Sequence, residues 1–75
     1  MKAQTNKNDL YTSILLLAKE GSSKKEIAEA LSISDQQLRR LTAELVDRGM
    51  LHLDAEKGKF LTTDKGHVFL KHNKK

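Results

Sequence analysis

The stretch Ile27-Ala28-Glu29-Ala30-Leu31-Ser32-Ile33-Ser34-Asp35-Gln36-Gln37-Leu38-Arg39-Arg40-Leu41, running on to Gly49-Met50-Leu51, reads as a short helix, a tight turn and a longer helix. Ile27, Ala28 and Leu31 give the first helix one apolar face. Leu31-Ser32-Ile33-Ser34 is the turn, with Ile33 as an apolar plug between the helices. Ser34 is a favourable N-cap, and Gln37 three residues later completes a capping-box pattern. Leu38, Leu41 and Leu45 then recur at helical spacing, and Gly49 stops the helix. At about 100° per residue, Gln36, Arg40 and Ala43 point away from the leucine face. Amides and a guanidinium fork near a helix N-terminus are the groups that read base edges in a major groove. An ordinary helical hairpin with a solvated face has the same pattern.

Composition sets the frame for that stretch. With 75 residues there is room for one small domain. A domain of this size buries only about 60% of its unfolded surface, so its core must be well packed. Cysteine and proline are both absent, which excludes a disulfide frame and a thiolate metal site. The formal net charge is +4, and the excess is uneven. Residues 1–49 carry eight Lys/Arg against seven Asp/Glu, whereas residues 50–75 carry six Lys against three acids. A surplus of this kind favours an acidic partner. No apolar run approaches the ~18 residues of a membrane span, and the N-terminus lacks a signal-peptide apolar region. A cytoplasmic protein is expected, nucleoid-associated if it binds DNA.

Taken in order, residues 1–8 form a polar N-terminal segment expected to fray, 9–72 the domain and 73–75 a basic tail. Asn8 or Asp9 can cap a first helix running to about Glu20. Leu10, Ile14, Leu17 and Ala18 make one stripe on it. Leu15 and Leu16 fall off that stripe, so the helix either crosses the middle of the domain or offers apolar surface to a second copy. Ser22 or Ser23 caps the next helix, with Glu26 as the box partner of Ser23. Lys24 and Lys25 sit in its first turn, against the helix dipole, where an outside anion such as a DNA phosphate would suit them. An exposed mismatch of a few tenths of a kcal/mol explains them equally well.

After Gly49 the period changes to two. Met50-Leu51-His52-Leu53-Asp54 and Lys59-Phe60-Leu61-Thr62 alternate around Ala55-Glu56-Lys57-Gly58, which predicts a β-hairpin. Thr62 or Thr63 caps a last helix from Asp64 to about His72, with Val68 and Phe69 or Leu70 as its buried contacts. Gly66 inside it costs about 1 kcal/mol relative to Ala, which close packing against the hairpin would explain. The expected fold is α+β, mostly α: three helices, a two-stranded hairpin and a short C-terminal helix. Its core is expected to include Ile14, Leu17, Ile27, Leu31, Leu38, Leu41, Leu45 and Phe60.

That element order is the winged helix-turn-helix arrangement, and three segments carry a resemblance. Ile27-Ala28-Glu29-Ala30-Leu31-Ser32-Ile33-Ser34 is similar to the helix-turn-helix of many prokaryotic regulators. Leu45-Val46-Asp47-Arg48-Gly49-Met50-Leu51 resembles a recognition helix entering a wing. Phe60 to Leu70 resembles the L-T-x-x-G-x-x-F-L close of small archaeal winged-helix DNA-binding transcription regulators. The resemblance implies a DNA-binding transcription regulator or chromatin-associated protein, often a homodimer. It implies Ser34–Arg48 as recognition helix, Gln36, Gln37, Arg39 and Arg40 as base readers, and Glu56-Lys57-Gly58-Lys59 as a wing tip on phosphates or in the minor groove. Several relatives dimerise through a long C-terminal helix. Here that helix is short, so the first helix, with Leu15 and Leu16, becomes the expected dimer surface, with the last helix in support.

Other chemistry finds little footing. His52, His67 and His72 have no convincing ligand spacing, so no metal is expected. Ser, His and Asp occur without an evident pocket for a triad, and Gly58 and Gly66 form no phosphate loop. Tyr11, Phe60 and Phe69 are too few for a base-stacking platform. The expectation is a binding module with no cofactor, no small-molecule effector and no catalysis. The expected phosphate contacts are Lys24, Lys25, Lys57 and Lys59, with Arg39 beside the readers. Two other readings use the same fold. One is a protein-interaction winged helix, suggested by Asp35, Glu44 and Asp47 on the longer helix. The other is low-specificity coating of chromatin by the fold and the basic tail.

Overall fold

The first helix, α1 (Lys7–Ala18), is packed against other elements along most of its length: two further helices, the last helix and the central strand all touch it. A computed structural model describes residues 7–72; residues 1–6 of the expected N-terminal segment 1–8 and the expected tail 73–75 lie outside them, as do the side chains of Lys7 and Asn8, whose backbone begins α1. The described residues form a small α+β domain, mostly helical, with four helices and one antiparallel sheet. Strand β1 (Ser22–Ser23) precedes α2 (Lys24–Leu31) and α3 (Asp35–Asp47); β2 (Leu51–Asp54) and β3 (Lys59–Thr62) follow, then α4 (Asp64–His72).

The central position of α1 answers the question its sequence left open. Tyr11, Ile14, Leu15 and Ala18 are buried, and Leu10 and Leu17 are half-buried against the same core. Leu15 was expected off the stripe but has no exposed surface; Leu16 is the exposed one, at 52%. A helix with neighbours on several sides buries more than one stripe, as expected of a helix that crosses the middle of the domain.

Ser23 caps α2 with the full reciprocal box. Its hydroxyl accepts from the Glu26 N–H at 3.1 Å, and its own N–H donates to the Glu26 carboxylate at 2.9 Å. The turn between α2 and α3 closes on Ser32, in the left-handed region at φ 55. Its N–H donates to Glu29 O and that of Ile33 to Ala28 O, which satisfies the last carbonyls of α2. Ser34 caps α3 by accepting from the Gln37 N–H at 3.1 Å. The expected box is half made there: among the described residues, the Gln37 side chain does not return a bond to Ser34.

Helix α3 buries Leu38, Leu41 and Leu45 as expected, and also Thr42, whose hydroxyl donates to the carbonyls of Leu38 and Arg39. It ends in a paired-bond cap: the Gly49 N–H donates to Val46 O and the Met50 N–H to Leu45 O. Gly49 takes φ 79, a conformation that glycine adopts without the Cβ clash other residues meet.

The hairpin pairs Leu51 with Thr62, His52 with Leu61, Leu53 with Phe60 and Asp54 with Lys59. It was expected to have two strands, but the sheet has three, in the order β1-β3-β2. Ser22 pairs with Phe60 and Ser23 with Lys59. Two serines carry no strand propensity, so this pairing arises from where α1 delivers the chain. Leu51 and Phe60 close the core from the sheet side, joined by Ile27 of α2.

Thr63 is the cap of α4, accepting from the Gly66 N–H at 3.1 Å. The Thr62 hydroxyl instead donates to Leu15 O at 2.6 Å, tying β3 to α1. Gly66 is buried, and a Cβ there would sit 2.6 Å from the Thr62 methyl and inside contact distance of the Met50 carbonyl oxygen. Close approach of α4 to the hairpin accounts for a glycine in mid-helix. Val68, expected to be buried, is 51% exposed; Phe69 and Leu70 are half-buried. Leu17 and Leu31, expected in the core, are also half-buried. Among the described residues, no helix is long and apolar enough to cross a membrane.

Candidate nucleic-acid interface

Helix α3 divides the candidate residues by the side from which they leave it. Ser34, Gln36, Gln37 and Arg40 line one open polar depression at its N-terminal end, and all four are exposed. Arg39 leaves on the hairpin side. It lines a different groove, together with Thr42, Ala43, Val46, Asp47, Leu53 and Phe60. The two neighbouring arginines therefore serve different surfaces. Of the acids expected as their partners on a solvated helix, Asp35, Glu44 and Asp47, Glu44 is engaged with Tyr11, and Asp35 and Asp47 form no ion pair with either arginine among the described residues.

Glu44 was expected as a surface acid, and its position is otherwise. It accepts a hydrogen bond from the Tyr11 hydroxyl, so it joins α3 to α1. The Arg48 guanidinium lies over the same ring, 5.5 Å from its centroid. The bond to Glu44 raises the Tyr11 pKa above its ordinary value of 10.0, burial and the carboxylate charge add to the rise, and Arg48 opposes it. Glu44 follows Arg40 by one turn, on the flank of α3 between the buried leucines and the exposed side chains, so the Tyr11 contact ties that flank to α1.

The lysines fall into two places. Lys57 is exposed in the hairpin turn, whose Gly58 N–H donates to Asp54 O at 2.8 Å. Lys59 opens β3, and alternation along the strand sets it on the face opposite Phe60, with Leu61. Because Ser23 pairs with Lys59, the exposed Lys24 and Lys25 begin α2 beside that strand. Pairing of β1 with the central strand β3 thus brings Lys59 beside the start of α2, with Lys24 and Lys25, and leaves Lys57 in the hairpin turn.

Val46 and Leu53 were not singled out from the sequence as site residues. They are 44% and 47% exposed and meet in the groove between α3 and the hairpin. Val46 follows Arg39 by seven residues and Ala43 by three, a helical spacing that places it on their face. On α1, Leu15 is buried, so a self-association surface built on Leu15 and Leu16 is reduced to Leu16. No cluster of residues able to hold a metal occurs among the described residues. No protein-family model and no curated protein matches the chain.

Proposed function

We propose that this chain is a winged helix-turn-helix DNA-binding transcription regulator, acting in the cytoplasm on the nucleoid. Helix α3 enters the major groove by its N-terminal end, and the β2–β3 hairpin lies on the backbone or in the minor groove. The observation that carries this reading is the grouping of Ser34, Gln36, Gln37 and Arg40 in one exposed polar depression at that end. A glutamine amide can donate to and accept from adenine, and an arginine fork fits O6 and N7 of guanine. Arg39, Lys24, Lys25, Lys57 and Lys59 supply phosphate contacts, which position the domain and carry no sequence information.

The groove of Val46 and Leu53 favours a second reading, a protein-interaction module that uses the hairpin side of α3. Fluorescence-anisotropy titrations with a selected duplex and a random one, at two salt concentrations, separate the two. Arg40→Ala and Gln36→Ala should each cut the preference for the selected duplex by about 1–3 kcal/mol, with the melting temperature unchanged. Arg39→Ala should weaken both duplexes alike. Removing Lys57 and Lys59 together should flatten the salt dependence by up to about two units of logarithmic slope. If Arg40→Ala changes stability and not DNA affinity, the interaction module is the better account.

A further inference from the structure

Four large apolar side chains stand exposed among the described residues, and they fall into two pairs. Val46 and Leu53 meet beside α3, as described. Leu16 and Val68, each about half exposed, meet in an open groove between α1 and α4, with Leu70 beside them. The remaining lining residues are Lys19, His67 and Lys71. Glu20 and Asp64, the nearest acids along the two chain segments, do not line it.

We propose that this groove docks an amphipathic, acidic segment of a partner protein. Its apolar residues would cover Leu16, Val68 and Leu70, and its carboxylates would pair with Lys19 and Lys71. Charge complementarity selects this occupant. A second copy presenting the same groove would bring it Lys19, His67 and Lys71 again and no lining carboxylate, and opposition of like charges disfavours a wrong partner. A phosphate backbone would find the two lysines but has no apolar surface with which to cover Leu16, Val68 and Leu70. Docking here leaves α3 open. The groove and the polar depression of Ser34, Gln36, Gln37 and Arg40 share no lining residue, and α4 packs on α1 and β3. One molecule can thus hold a duplex and an acidic partner together.

The test uses the full chain, isotopically labelled, with a synthetic amphipathic helix carrying leucines on one face and glutamates elsewhere. A control peptide keeps the leucines and replaces every glutamate by lysine. The acidic peptide should shift the amide resonances of Leu16, Lys19, Val68 and Lys71, bind more weakly as salt rises, and leave Ser34–Arg40 in place. Leu16→Asp and Val68→Asp, both at exposed positions, should each lower its affinity about tenfold or more, which corresponds to 1.4 kcal/mol, with unchanged melting. Lys19→Glu with Lys71→Glu should transfer the preference to the lysine peptide. Absence of binding, or equal binding of both peptides, overturns the proposal. So does sedimentation of the free chain at twice 8.5 kDa with that dimer lost in Leu16→Asp, which would make a second copy the occupant. Shifts of the same four residues on adding duplex DNA instead of peptide would overturn it in favour of nucleic acid.

Discussion

At the N-terminal end of α3 the open surface is made of Ser34, Gln36, Gln37 and Arg40, whereas between α1 and α4 it is floored by Leu16, Val68 and Leu70. The two places differ in how they are held as well as in what they display. The polar end stands on a helix capped by Ser34, anchored by three buried leucines and tied to α1 through Glu44 and Tyr11. The apolar groove is bounded on one side by α4, a nine-residue helix seated through Gly66 against Met50 and Thr62. Hydrogen bonds weaken steeply with misalignment, so a surface that reads bases must be rigid. Burial of apolar area is non-directional and tolerates a less constrained support. In the proposed role, the Ser34 cap, the buried leucines and the Tyr11 bond to Glu44 are what would hold Gln36 and Arg40 in place.

Removing the shared support should abolish both surfaces at once. Leu41 is buried between α3 and the rest of the core, and Leu41→Ala should cost about 2–5 kcal/mol. Thermal melting of the variant checks this; a curve matching the parent would mean that α3 is not anchored as described.

Gly66→Ala should separate the two surfaces. A Cβ at 66 collides with Thr62 and the Met50 carbonyl, and overpacking of this kind costs about 1–3 kcal/mol. The gain in helix propensity, about 1 kcal/mol, offsets part of it. Net destabilisation is expected, with amide shifts concentrated in α4 and the end of β3 and the first turn of α3 undisturbed. A more stable variant would show that α4 does not approach the hairpin closely.

A smaller effect concerns the tie beneath α3. Tyr11 is the single tyrosine and the chain lacks tryptophan, so the phenolate absorbance reports this group alone. Its pKa is raised above 10.0, chiefly by the bond to Glu44. A raised value in the folded state means that the contact's stabilisation is complete below the unfolded value. It is lost as pH climbs through the folded one. Ionisation of the folded chain should therefore occur above pH 10.0, with the alkaline loss of stability reduced in Tyr11→Phe. Ionisation at or below the ordinary value would remove Glu44 from the link between α1 and α3.

The order of helices, hairpin and last helix was legible because each boundary carries local chemistry. Ser23 with Glu26 makes its box, Gly49 takes its left-handed turn, and the alternation around residues 55–58 becomes the hairpin. Gly66 was legible as a close approach because a mid-helix glycine needs a packing reason. Features set by distant neighbours were not legible. The sequence cannot tell Leu15 from Leu17 without knowing how many elements surround α1, and it gives Ser22 and Ser23 no strand signal. Glu44 looks like any surface acid until Tyr11, 33 residues away, is brought against it. On α3 the leucine period placed Gln36 and Arg40 outward. That Arg39 belongs to the hairpin groove, with Val46 and Leu53, depends on where β2 returns.

The central claim is that the polar end of α3, and not the apolar groove, meets DNA. The most direct measurement is a residue-resolved NMR titration of the labelled chain with a short duplex at low and moderate salt. The account predicts amide shifts centred on Ser34, Gln36, Gln37 and Arg40, with weaker shifts at Lys57, and none at Leu16 or Val68. Shifts centred on Leu16, Val68 and Lys71, or a spectrum that duplex leaves unchanged at both salt concentrations, would contradict it.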